Sequence, residues 1–354
     1  MGVILIMRRS AALLALLPLL SLPAEPPGKP VSTPEGSGQF EESTTKSEKA
    51  VRKGTDWLLK TFNPDGGCGT DLTAPTDIAC TAMVGLALLS QGNTPLHGVH
   101  SREVRRILLY ILEQVDHMPL DDITPRTDTQ VQVKIGRHAH SFFAALFLSQ
   151  ALGEVENQER VRKALRRLVG VIERAQKEDG TWGAESWAPV LGTVMGWSSL
   201  RASHSVGFPV KASIERTQKK LVEQMDQQAQ GWMQDLYKNA SGLRVLWAAG
   251  KGDEPVPKKV MASVLHLIAT DQTPFTQAGG EEFLAFHLLN ECLLQAGGEK
   301  WRKWFPNLRD RLVQVQNEDG SWAGHHCITS RTFCTAAALL VLASPNRYLP
   351  ISQK

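Results

Sequence analysis

The chain has 354 residues, 42% of them hydrophobic and 21% charged, with a formal net charge of +3. So small a charge excludes the strong basic excess of a nucleic-acid binder, and the length and apolar content suffice for one large core. Five cysteines are an odd number, so at least one thiol lacks a disulfide partner within the chain.

Met7-Arg8-Arg9 precede an almost wholly apolar run from Ala11 to Leu22, which ends in Leu22-Pro23-Ala24. A charged start, a short apolar stretch and a small residue predict a secretory signal peptide over residues 1–24, too short for a membrane span of about 20 apolar residues. The mature chain is therefore expected to be exported, periplasmic or secreted, and to carry no transmembrane helix. Residues 25–46 are rich in Pro, Gly, Ser and Glu and predict a disordered linker, because they cannot bury enough apolar surface to fold. The folded domain is expected over 47–350.

Within that domain, residues 51–62 form a basic amphipathic segment, the turn NPDGGCG follows at 63–69, and residues 76–90 are apolar on nearly every side. The order recurs in the turns QKEDGTWG (176–183) and QNEDGSWAG (316–324). Their Asp-Gly pairs begin at Asp65, Asp179 and Asp319, 114 and 140 residues apart, which fits two and three units of about 50 residues. Charged outer helices are expected to start near 48, 101, 158, 209, 257 and 301, each followed by an inner helix: 76–90, 140–152, 187–200, 238–249, 281–294 and 329–344. Asp-Gly supplies the turn, and Thr329 or Ser330 can cap the last inner helix. Basic runs at 102–106 and 163–167 belong to solvated outer faces. Six pairs whose inner helices bury one another can close into a double-walled barrel, an all-α (α/α)6 toroid.

Gln176 to Trp182 and Gln316 to Trp322 both fit Q-x-x-x-G-x-W. The pattern resembles the squalene and terpene cyclase and protein prenyltransferase superfamily over about residues 48–350, with Asn63 to Cys68 a degenerate copy in which Cys68 replaces the aromatic residue. The resemblance implies the six-hairpin toroid, a central cavity ringed by inner helices, and a structural brace from Gln176, Trp182, Gln316 and Trp322.

The chemistry of the resembled enzymes is only partly present. Class II cyclases protonate an alkene or epoxide with an Asp in D-x-D-D-T-A or V-S-D-C-T-A; aligning Cys80-Thr81-Ala82 puts Ala79 where that Asp belongs. Such cyclases are also expected to need a chain about twice this length, with two toroids. Asp77 remains as an acid or as the N-cap of its helix. Prenyltransferases hold a catalytic zinc with Asp, Cys and His, and no Asp-x-Cys followed by a suitable His is found here.

Polar groups at the N-terminal ends of inner helices are the ones expected to face a cavity. Asp77, His138, His140 and Glu282 are the catalytic candidates, although His138 and His140 would point about 200° apart on a helix. His326, Cys327 and Cys334 are candidate ligands for a zinc ion, a cofactor the pattern allows but does not favour. Cys327 and Cys334, about 10 Å apart along a continuous helix, pair in a disulfide only if Cys327 precedes that helix. Phe142, Trp187, Tyr237 and Phe286 are expected to line an apolar ligand site, and a hydrophobic or isoprenoid-like small molecule is the expected partner. Two alternatives stand beside this reading: a non-catalytic interaction scaffold with a filled bore, and a polysaccharide-active toroid with paired carboxylates such as Asp77 and Glu282. Gly67-Cys68-Gly69 continues as Thr70-Asp71, without the Gln that a thioester needs.

Overall fold

The computed structural model describes residues 41–119, 129–228 and 236–350, so the expected signal peptide and residues 25–40 of the expected linker lie outside it. Six outer helices begin where an amphipathic stripe begins: α1 (Thr45–Leu58), α3 (Ser101–Asp116), α6 (Gln158–Ala175), α8 (Lys211–Gln228), α10 (Pro255–Thr270) and α13 (Gly298–Gln314). In α6, Val161, Leu165, Leu168 and Ile172 are buried on one face while arginines occupy the other. Six inner helices alternate with them: α2 (Ile78–Leu89), α5 (Ala139–Ala151), α7 (Pro189–Ser205), α9 (Leu236–Ala248), α12 (Gly280–Ala296) and α14 (Arg331–Leu342). Every residue of α2 and α5 is buried, as expected of helices apolar all round. No strand occurs among the described residues.

The inner helices pack in the order α2, α5, α7, α9, α12, α14, and α14 returns to pack on α2, so the ring is closed. α1 packs on α14, the last inner helix, which interlocks the two ends of the domain. The chain is an all-α toroid of six helical hairpins.

The three Asp-Gly turns are built alike. Gly66, Gly180 and Gly320 have φ of 93°, 86° and 96°, in the left-handed region that favours glycine. A Cβ at Gly180 would lie 2.6 Å from the Arg216 carbonyl carbon on α8, and one at Gly320 would lie 2.5 Å from the Lys53 carbonyl oxygen on α1. Asp65, Asp179 and Asp319 each accept from the backbone N–H two residues on, at 3.0, 3.1 and 3.0 Å. The residue three on from each Asp donates its backbone N–H to a threonine of the following inner helix: Cys68 to Thr81, Trp182 to Thr193, Trp322 to Thr335. Cys68 thus stands where the other two copies carry tryptophan.

The Gln176 amide donates to the Ser213 carbonyl and Thr217 hydroxyl on α8, and the Gln316 amide to the Ala50 carbonyl on α1. Trp182 and Trp322 donate from Nε1 to Ile172 and Leu312 at the ends of their own outer helices, each at 2.8 Å. Each motif therefore ties an outer helix, the inner helix after it and the next outer helix, and the copy at 316–322 ties the last unit to the first.

Among the described residues, two short α-helices interrupt the alternation, α4 (Gln130–Ile135) and α11 (Thr273–Thr276). α4 spans from the α7 side to the α12 and α14 side at the end of the barrel formed by the inner-helix N-termini. The Trp187 and Ala188 N–H groups donate to the Val133 and Lys134 carbonyls on one side, and Gln130 exchanges hydrogen bonds with Thr329 on the other. At the opposite end, the cavity where α2, α5, α7, α12 and α14 converge holds about 20 Å³, room for about one water. Beside it Arg244 Nε lies 2.7 Å from Glu291 Oε2, both groups buried, and the guanidinium groups of Arg244 and Arg201 lie 5.6 and 5.5 Å from the Trp197 ring centre. Side chains, not a ligand-sized void, fill this end of the expected central cavity.

Candidate functional site at the mouth of the toroid

The candidate residues fall into two clusters. In the first, Asp77 is the N-cap of α2 and accepts from the Cys80 N–H at 2.8 Å, while its other oxygen lies 3.2 Å from His140 Nε2. Asp77 is 4% and His140 2% exposed, so the pair is sealed from solvent. Burial alone would raise the Asp77 pKa, but the hydrogen bond and charge of His140 and the Cys80 N–H outweigh it and hold the carboxyl below the usual range. The pair leaves Asp77 with two roles at once, N-cap of α2 and partner of the His140 imidazole. Cys80 lies in the same cluster, 3.4 Å from the Ser330 hydroxyl, with its thiol pushed well up by burial. His138 stands at the N-cap position of α5 without a side-chain capping bond and is half-buried, its ring 6.5 Å from Phe142.

The second cluster forms where α4 meets the start of α12 and the loop before α14. Lys134 Nζ on α4 lies 2.8 Å from Glu281 Oε1 and 3.2 Å from Cys327 Sγ, and 5.2 Å from the centre of the Tyr237 ring. His326 bridges the two carboxylates, Nδ1 at 3.3 Å from Glu281 and Nε2 at 3.5 Å from Glu282. Glu282 accepts from the Gly279 N–H at 2.7 Å, which places it in the first turn of α12.

Donor atoms of Glu281, His326 and Cys327 all lie within 4.8 Å of one another. A carboxylate, an imidazole and a thiol suit zinc, which when bound would supply Lewis acidity there. The trio corrects the sequence-based set: Cys334 is buried inside α14 with its thiol toward the Ile328 carbonyl, whereas Cys327 precedes the helix, half-buried at φ 49°. Glu281 takes the place expected of Cys334. All five cysteines carry free thiols.

Burial, then the neighbouring Glu281 charge, pushes Glu282 up to about 7. Its folded pKa exceeds its unfolded value, so the stability it contributes is present below about pH 4.5 and lost as pH rises through about 7. Wild type is expected to lose about 3 kcal/mol from this group across that window, and Glu282→Gln to flatten the loss. Urea denaturation of both proteins from pH 5 to 8 measures it; parallel pH profiles would refute the assignment.

Open space lies beside this cluster. A cleft of about 450 Å³ is bordered by Trp187, Pro189, Val190, Lys220, Leu221 and Tyr237, and one of about 290 Å³ by Leu236, Tyr237, Leu267, Pro274, Glu282 and His326. Tyr237 belongs to both, and Trp187 is 70% exposed. The other two predicted lining residues are packing groups: Phe142 sits edge-on to Trp182 at 6.1 Å, and Phe286 stacks on Phe275 at 4.6 Å. Lys134 was not singled out from sequence, because α4 is a short helix outside the repeat and its partners are distant in the chain.

The architecture is that of a terpene-cyclase-like toroid. The type II terpene cyclase MstE from Scytonema, without ligand, superposes with a TM-score of 0.50 at 15% identity, covering 86% of this chain and 100% of that one. An alanine variant of the same enzyme in complex with merosterolic acid A, its product, gives a TM-score of 0.49 at 16% identity over 86% and 98% of the two chains. No family model and no curated protein matches the sequence. The expectation that such cyclases need about twice this length is corrected by the first superposition, in which one hexameric ring of hairpins covers the whole neighbour.

Proposed function

We propose that this toroid binds a hydrophobic or isoprenoid-like small molecule at its mouth, in the clefts that meet at Tyr237, and that it works outside the cytoplasm once residues 1–24 are removed. The observation that carries the reading is where the room lies: clefts of about 450 and 290 Å³ border Tyr237, against about 20 Å³ where five inner helices converge. An exposed tryptophan beside Pro189, Val190 and Leu221 offers stacking area at little entropic cost, while Asp179, Gln224 and Lys238 add polar groups that a ligand's head group could meet. Binding is the reading these clefts support.

Equilibrium dialysis with radiolabelled farnesol tests it. One saturable site per chain is expected, weakened about tenfold by Trp187→Ala. Failure of farnesol and squalene to bind saturably would favour the scaffold reading, to which the filled bore lends support. The polysaccharide-active alternative loses its carboxylate pair, because Asp77 is sealed under the barrel's rim while Glu282 borders a cleft. Export is tested by N-terminal sequencing of protein from an extracytoplasmic fraction: a start at Glu25 is expected, and an intact leader on cytosolic protein would end that part of the proposal.

A further inference from the structure

We infer that Lys134 is a built-in cation that masks a site for a thiophilic divalent metal, formed by Glu281, His326 and Cys327. The ammonium stands between a buried carboxylate at 2.8 Å and a thiol at 3.2 Å, and the imidazole of His326 lies 3.3 Å from the same carboxylate oxygen. A cation with these three ligands would occupy the same space. Zinc bonds of about 2.0 to 2.3 Å are shorter than the contacts to Lys134, so the metal requires the lysine to leave and the donors to draw in.

Three features hold the cradle ready. Glu281 is fully buried, and its nearest positive partner is the Lys134 ammonium at 2.8 Å. Cys327 has φ 49°, a conformation that costs a non-glycine residue free energy and that turns the thiol toward Lys134. The loop carrying His326 and Cys327 is pinned on both sides, by the His325 N–H to the Ala278 carbonyl and by Thr329 to Gln130 of α4. The masking lysine rides on that same α4, so exchange of ammonium for metal acts directly on the segment that crosses the mouth. Binding converts the Cys327 thiol to a metal-bound thiolate and releases its proton to solvent; no oxidant or reductant is involved.

The test uses the full chain and two metals, Zn²⁺ and Co²⁺. In isothermal titration, Lys134→Met is expected to bind one Zn²⁺ per chain about tenfold or more tighter than wild type, and Lys134→Met with Cys327→Ser to return to the wild-type level. Co²⁺ should give a thiolate charge-transfer band with the single variant and none with the double variant. Should Lys134→Met fold poorly, wild type supplies the same answer by labelling: saturating Zn²⁺ should protect Cys327 from maleimide and open Lys134 to acylation. Zinc affinity unchanged by Lys134→Met, tight binding that survives Cys327→Ser, or unchanged labelling of both residues in wild type overturns the inference.

Discussion

Trp322→Ala is expected to destabilise the protein by about 4 kcal/mol, the cost of removing a fully buried tryptophan together with the cavity it leaves. The indole is packed where three elements meet: its N–H donates to the Leu312 carbonyl at the end of α13, the Trp322 backbone N–H donates to the Thr335 hydroxyl of α14, and a Cβ on Gly54 of α1 would lie 2.8 Å from the ring. Because α1 belongs to the first unit and α13 to the last, the loss falls on the closure of the ring. Trp182→Ala removes the same brace between consecutive units and should cost a similar amount while leaving the closure intact. Amide hydrogen exchange distinguishes the two, with faster exchange in α1 expected only for Trp322→Ala. If both variants lose less than about 1 kcal/mol in urea denaturation, the motif tryptophans do not brace the barrel.

Arg244→Leu is expected to cost about 3 to 5 kcal/mol, because it leaves the Glu291 carboxylate buried without its partner at 2.7 Å. Burial alone would raise the Glu291 pKa; the charge of Arg244, then that of His287, outweighs it and holds the carboxyl below its ordinary value. With the guanidinium gone, Glu291 should take up a proton on folding. Its folded pKa then lies above the unfolded one, so the variant should lose stability as pH rises, and wild type should not show that loss at this site. Arg244→Leu with Glu291→Met replaces both charges by apolar groups and should recover most of the stability. Thermal denaturation of the three proteins at several pH values checks the prediction. A single variant within about 1 kcal/mol of wild type would mean that water reaches Glu291 and that the end of the barrel opposite the mouth is not sealed.

The same pair shows where sequence reading stops. Arg244 and Glu291 lie on inner helices α9 and α12, 47 residues apart, and neither position is marked by a periodicity that names its partner. Lys134 and Cys327 are 193 residues apart and meet only because the ring closes. By contrast, Asp77 as an N-cap, Ser330 as the cap of α14 and the Asp-Gly turns involve neighbours within a few residues, and their roles follow from local chemistry. The exchange of Cys334 for Glu281 has the same origin: once α14 begins at Arg331, Cys334 faces the core, while the preceding loop returns past the start of α12.

The sequence alone determined that this protein alternates amphipathic and largely apolar helices in six units, three of them carrying Asp-Gly turns, because helix periodicity and turn geometry are written in consecutive residues. Only the tertiary structure decided that α4 crosses the mouth, that Lys134 meets Glu281 and Cys327, and that room for a ligand lies at the rim and not where the inner helices converge. Those outcomes depend on which helix faces meet after the ring closes, and on the volumes and charges that packing brings together across it.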